Sequence, residues 1–204
     1  MKKNLLDGIK NIYVAITHRH SDHVGSLGDL VAYCYYILKI TVNIYDGAGH
    51  LSGYLLECGV TSNQWKEFVD GIPEMDLKLK SYHASHVELY QNSSGEISNI
   101  YNESDNPKKL FSCYSYEIYS QKKKIFYSGD CSHIDFNKHR DCDGYYIDTC
   151  IADHPGNAHY NIELLYKDCR DANIDIQKVW CMHIDNDRLI ARAEELGFNV
   201  AEID

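Results

Sequence analysis

The sequence predicts a layered α/β protein, and three observations carry that expectation. Short β-branched and aromatic runs alternate with segments of helical apolar spacing, no segment repeats, and no linker-like stretch divides the chain. A length of 204 residues fits one core, in which roughly 70% of the unfolded surface is buried, so a single domain over residues 1–204 is expected. With 44% apolar and 25% charged residues, disorder, collagen and coiled coil are excluded.

Taken in order, Asn11-Ile12-Tyr13-Val14-Ala15-Ile16-Thr17 reads as a buried strand that runs into a polar loop at His18. Apolar residues at 27, 30, 31, 34, 37 and 38 have helical spacing, which predicts a largely buried helix over 26–39. Residues 41–45 read as a short strand, 49–58 and 62–69 as two short helices, and 77–82 as a half-exposed strand because apolar residues alternate with Lys or Ser. The polar stretch 91–109, rich in Ser, Asn and Gly, reads as a long surface loop or hairpin insertion. A β-hairpin is expected from 110–120 and 124–128 about a Gln121-Lys122-Lys123 turn. Beyond it come a strand at 145–152, a helix opened by Asn161 as N-cap and running to about 173, a strand at 178–182, a helix at 187–196 and a last strand at 198–203.

The charge balance narrows the function. Lys and Arg number 20 against 30 Asp and Glu, a net charge of −10, which argues against a broad basic face for duplex DNA or a membrane surface. No apolar run approaches a membrane span, and Met1-Lys2-Lys3 does not lead into the apolar core of a signal peptide. The eight cysteines include no CxxC pair, so reduced packing thiols and a cytoplasmic location are expected.

Chemistry concentrates in His18-Arg19-His20-Ser21-Asp22-His23, four metal-ligand side chains in six residues directly after a strand. Imidazole and carboxylate together suit zinc, iron or manganese. Histidines two apart in a looped backbone can reach one ion, while Asp22 and His23, further on, can reach a second. His50, His133 and His139 are read instead as surface or hydrogen-bonded histidines, and His154, in Asp153-His154-Pro155-Gly156, as a residue able to line a pocket.

Ile16-Thr17-His18-Arg19-His20-Ser21-Asp22-His23-Val24-Gly25 closely resembles the signature of the metallo-β-lactamase superfamily, and further landmarks follow in that family's order. Ser128-Gly129-Asp130 looks like its bridging aspartate, with Cys131 where Thr is commoner, and Met182-His183 looks like its final histidine. Another ligand is expected before the hairpin, either His83 or His86, with His86 preferred because a strand-ending His followed by Val resembles the usual context. Within the superfamily the chain resembles the RNase Z-like, phosphodiesterase-type branch, in which His159 matches the placement of a proton donor to the leaving oxygen. Tyr160 in place of Ser or Thr, and Ile184-Asp185-Asn186-Asp187-Arg188 after His183, depart from that pattern and weigh against RNA.

The resemblance implies a metallo-β-lactamase-like αββα sandwich, truncated at its N-terminus because only 17 residues precede the first motif. It also implies two divalent ions, zinc first and manganese or iron otherwise. One would be held by His18, His20 and His86 and the other by Asp22, His23 and His183, with Asp130 between them and Asp22 and His159 as catalytic residues. The expected activity is metal-dependent hydrolysis of phosphodiester bonds by a metal-activated hydroxide, on an anionic small-molecule or nucleotide-like substrate. The alternatives are a metal-binding remnant or subunit with little activity that pairs with a partner supplying the missing strands, and a thioester or lactone hydrolase. The missing strands also imply self-association into a homo-oligomer or a partner that bears them.

Overall fold

The computed structural model describes residues 6, 8–46, 51–68, 71–72, 77–84, 89–91, 97–99, 113–152, 157–184 and 186–201, with 71–72, 89–91 and 97–99 as backbone alone. The chain forms two compact units, Met1–Gly71 and Ile72–Asp204.

In the first unit β1 (Ile12–Ile16) leads into a single helical turn, α1 (Ser21–Val24), and then α2 (Leu27–Tyr33). The helix continues as a widened π turn over Cys34–Leu38, and Lys39 closes it in the left-handed conformation, at φ 59°. Its buried side chains, Leu27, Val31 and Cys34, recur at three- and four-residue steps as the sequence spacing requires. β2 (Val42–Asp46) alternates buried Val42, Ile44 and Asp46 with half-buried Asn43 and Tyr45. α3 (Leu51–Glu57) adds Leu51 and Leu55 to the same core. Gly28 lets α2 approach the end of α3: a Cβ at that position would lie 2.8 Å from the Cys58 Cβ.

The expected helix over 62–69 is corrected by the structure, where Trp65–Glu67 is a strand, β3, paired in parallel with β2 through Val42 and Trp65, Asn43 and Lys66, and Ile44 and Glu67. The turn before it is closed by the Gln64 side chain, whose Oε1 accepts from the Thr61 N–H at 2.6 Å, and the Phe68 N–H donates to the Ile44 carbonyl. Apolar residues 65 and 68 cannot build a helical stripe by themselves, and a free edge of β2 offered their backbone a ladder. The resulting sheet is parallel, in the order β1-β2-β3.

The second unit is built on a larger sheet. The strands β5 (Leu77–His83), β8 (Tyr114–Ser120) and β9 (Lys123–Tyr127) are antiparallel, and β10 (Gly144–Cys150), β12 (Val179–Met182) and β13 (Asn199–Val200) continue from β9 in parallel, in the order β13-β12-β10-β9-β8-β5. A short β4 (Gly71–Ile72) follows β5 at the edge, and β11 (Tyr160–Asn161) pairs with β10 off the main path. β6 (Leu89–Gln91) and β7 (Ile97–Asn99) form a separate antiparallel hairpin within the expected insertion. Residues 110–112 of the expected first hairpin arm lie outside the described residues.

The turn between β8 and β9 consists of Gln121 and Lys122, and Lys123 already belongs to the strand. Parallel neighbours need crossovers, which α4 (Ile162–Asp171) supplies between β10 and β12 and α5 (Asp187–Leu196) between β12 and β13. Asn161 caps α4 as expected, its side chain accepting from the N–H groups of Glu163 and Leu164, and Asn186 caps α5 in the same way. The core joins Ile162, Leu165 and Cys169 of α4 and Leu189 and Ala193 of α5 to Phe126, Tyr145, Ile147, Val179 and Cys181 of the sheet. All eight cysteines are free thiols. Among the described residues no helix is long and apolar enough to cross a membrane.

Candidate metal centre

In the first unit the ligand motif follows β1 without a break. Thr17 and His18 are still buried, and the Thr17 hydroxyl contacts His18 Nδ1 at 3.0 Å, which fixes the imidazole and leaves Nε2 turned toward His20 Nδ1, also at 3.0 Å. Two metal–nitrogen bonds of about 2.1 Å at angles of roughly 90–110° would set their nitrogens about 3.0–3.4 Å apart, so this pair fits a shared ion. α1 begins after His20, and its turn brings the His23 ring to 4.1 Å from that of His18, centroid to centroid. His23 Nε2 lies 3.3 Å from a carboxylate oxygen of the exposed Asp22. Extended backbone at His20 followed by one helical turn thus gathers three imidazoles. Arg19, between them, turns away to an ion pair with buried Asp46 at the end of β2, at 3.0 Å. Gly25 closes the turn, where a Cβ would lie 2.3 Å from the Ser21 carbonyl oxygen.

In the second unit Asp130, Asp148, His159 and His183 each place one ligand atom within 4.8 Å of the others. Asp130 sits in the Ser128-Gly129-Asp130 turn after β9, where Gly129 takes φ 59°. The Cys113 thiol donates to the Asp130 carbonyl at 3.2 Å, and the Asp148 N–H donates to Ser128 Oγ at 2.8 Å, so the turn is held from both sides. Asp148, on β10 and 1% exposed, accepts from His159 Nδ1 at 2.8 Å, His183 Nδ1 at 3.0 Å and the Cys131 N–H at 3.1 Å. Because each histidine gives its Nδ1 proton to this carboxylate, Nε2 is the nitrogen left for an ion or a proton. His183 follows β12 with φ 59°, a left-handed conformation uncommon outside glycine. His159 is stabilised as the cation, foremost by its hydrogen bond to Asp148, which outweighs burial and raises its pKa above the usual histidine value.

The structure therefore brings His18, His20, Asp22 and His23 together in one unit and Asp130, His159 and His183 in the other. His86 and His154 lie outside the described residues, as does His50. His83, the alternative to His86, is exposed at the end of β5 and lies against Tyr114, with ring centroids 4.9 Å apart. Asp148 was not singled out from the sequence, although one carboxylate inside Tyr145-Tyr146-Ile147-Asp148-Thr149-Cys150 is a visible polar interruption of an apolar strand. His139 is a hydrogen-bonded histidine, as expected, and a buried one, bonded to Glu117.

A family model described as "Beta-lactamase superfamily domain" matches residues 3–184. No curated protein matches the chain significantly. Among solved structures the chain is similar to the metallo-beta-lactamase fold protein YhfI from Bacillus subtilis, with TM-score 0.63 and 14% identity over 94% of this chain and 75% of that one. It is also similar to a diphosphatase from the PhnP family, with TM-score 0.60 and 17% identity over 97% and 72% of the two chains. A third is the short form of human tRNase Z, with TM-score 0.55 and 13% identity over 94% and 76%. At such identities the likeness establishes the fold.

Proposed function

The chain belongs to the metallo-β-lactamase superfamily of metal-dependent hydrolases, and from that premise we propose that it hydrolyses phosphodiester bonds with two divalent ions, zinc first. The ligand groups fit such ions: His18, His20, Asp22 and His23 in the first unit, Asp130 and His183 in the second, and His86 by the order of the motifs. Bound ions would activate water and polarise the phosphoryl oxygen.

The chain's own contribution is proton delivery, and the observation that carries it is the Asp148–His159 pair. The Asp148 carboxylate holds His159 through Nδ1 and favours its protonated form, so Nε2 can give a proton to a leaving oxygen. Such help matters where the leaving group is a basic alkoxide, as in an ordinary phosphodiester. By their names, the diphosphatase and the tRNase Z among the similar structures favour phosphorus over a lactam or lactone carbonyl.

Turnover of a bis-aryl phosphodiester, a thioester and a lactone by the metal-loaded protein tests the substrate class, and the phosphodiester is expected to turn over fastest. His159→Ala should slow diesters with alkyl leaving groups about 10²–10⁴-fold and activated aryl diesters far less. Uniform slowing across leaving groups would assign His159 a positioning role instead.

A further inference from the structure

The second unit buries a charged cluster that metal chemistry does not use. Glu117 on β8 is 1% exposed and accepts four hydrogen bonds. Lys124 Nζ at 2.7 Å and His139 Nδ1 at 2.9 Å reach Oε1, and the hydroxyls of Tyr82 at 2.8 Å and Tyr119 at 2.5 Å reach Oε2. Burial pushes the Glu117 carboxyl up, but the bonds from Lys124, Tyr119, His139 and Tyr82 outweigh it and hold its pKa at about 2. The group is a carboxylate, and Lys124 already balances its charge. His139 turns its Nδ1 to Glu117 Oε1, so Nε2 is the ring nitrogen left for another partner.

His139 lines a cavity of about 330 Å³ together with Tyr82, Ser115, Phe126, Cys131 and Ile134. That volume lies at the small end of the range of small-molecule sites, about 300–1,000 Å³. Three rings shape it: Tyr82 meets His139 edge-on at 4.8 Å and Phe126 lies 4.4 Å from His139. Ser115 is opposite Tyr82 in the β5–β8 register and is buried. Among the described residues neither Ser115 Oγ nor His139 Nε2 has a hydrogen-bond partner, and both residues line the cavity. At the mouth Lys138 is tied to Asp135 at 3.2 Å, which leaves no fixed positive charge to hold a carboxylate or phosphate.

We propose that this cavity, which His83 also lines but Asp130, Asp148, His159 and His183 do not, is a second ligand site and that it takes a small phenol-type molecule. Its ring packs within the cavity against the wall that Tyr82, Phe126 and His139 form, and its hydroxyl donates to His139 Nε2 and accepts from Ser115 Oγ. An apolar ring with one hydroxyl edge matches a site that has aromatic walls and one ring nitrogen left open.

Phenol is the probe, anisole the control of like shape without a donor, and benzoate the anionic control. Each is titrated into the full-length, metal-loaded protein, and the imidazole nitrogen and carbon resonances of His139 are followed by NMR. Phenol should shift them saturably and bind about tenfold more tightly than anisole, as one buried hydrogen bond allows. Ser115→Ala should weaken phenol several-fold and leave anisole unchanged. The proposal is overturned by the absence of a saturable His139 shift, by equal affinity for phenol and anisole, by tighter binding of benzoate, or by unchanged phenol affinity in Ser115→Ala.

Discussion

Glu117 and Asp148 show what a buried carboxylate does at two positions of the same sheet. Glu117 holds four donors and loses that function only on protonation. Its folded pKa of about 2 lies below the ordinary 4.5, so its contribution to stability is present in full above pH 4.5 and is lost as pH falls through about 2. A shift of that size corresponds to about 3 kcal/mol. Glu117→Gln should therefore flatten the acid limb of stability between pH 4.5 and 2. At neutral pH it should cost roughly 3 kcal/mol, because half-buried Lys124 loses its counter-charge and His139, Tyr82 and Tyr119 lose a charged acceptor; urea unfolding across that pH range reads both effects. Asp148→Asn tests the other role. An amide cannot receive both imidazole protons as a carboxylate does, so metal affinity, measured by competition with a chromophoric chelator, should fall about 10–100-fold with little change in fold. Unchanged affinity would make Asp148 a structural residue. These two acids also mark where sequence reading stops. The motif from His18 to His23 is legible because its ligands are local, and Asp130, His159 and His183 because their surroundings resemble a known family. Asp148 meets partners 11 and 35 residues away, and Glu117 meets His139 22 residues away. Those partners lie in turns and at strand ends that the folded sheet brings back to the two acids, and no local spacing announces the contacts.

At the scale of elements, long and strongly patterned segments were readable and short ones were decided by their neighbours. α4 and α5 combine apolar spacing with Asn caps, so local and tertiary preferences agree. β3 lacks that agreement: three residues, Trp65–Glu67, follow the free edge of β2 rather than their own weak spacing. The β8–β9 turn shows the reverse conflict, because the hairpin forces Gln121 and Lys122 into left-handed backbone at φ 49° and 68°. A two-residue turn with both φ positive favours Asn-Gly, and neither residue here avoids the Cβ penalty. Replacing the pair by Asn-Gly should therefore stabilise the chain by about 1 kcal/mol, seen as a higher urea midpoint with unchanged slope. A lower midpoint would show that the Gln121 and Lys122 side chains contribute more than their backbone costs. Asn161→Ala, which uncaps α4, should cost about 1 kcal/mol by the same measurement.

For the whole molecule the decisive quantity is charge. The chain carries a net −10, and its second unit gathers the buried carboxylates of Asp130 and Asp148 within 4.8 Å of two imidazoles. Two carboxylates that close repel in a protein interior, where the field is less screened than in water, so this cluster is least favourable when no cation is held. A divalent ion reverses the sign of that interaction and binds the folded chain in preference to the unfolded one. Stabilisation then follows from mass action: at free metal 1,000-fold above its dissociation constant it reaches about 4 kcal/mol per site. For a chain of this size that corresponds to a rise in melting temperature of roughly 10 °C. Thermal melts at buffered free zinc, beside melts in excess chelator, should show this rise, and elemental analysis of the loaded protein should return close to two ions per chain. Asp130→Asn, which keeps the shape and removes one negative charge, should shrink the zinc-induced rise while raising the melting temperature of the chelated protein. A variant that melted lower than the native chain in chelator would show that Asp130 supports the turn after β9 more than it burdens the metal-free fold.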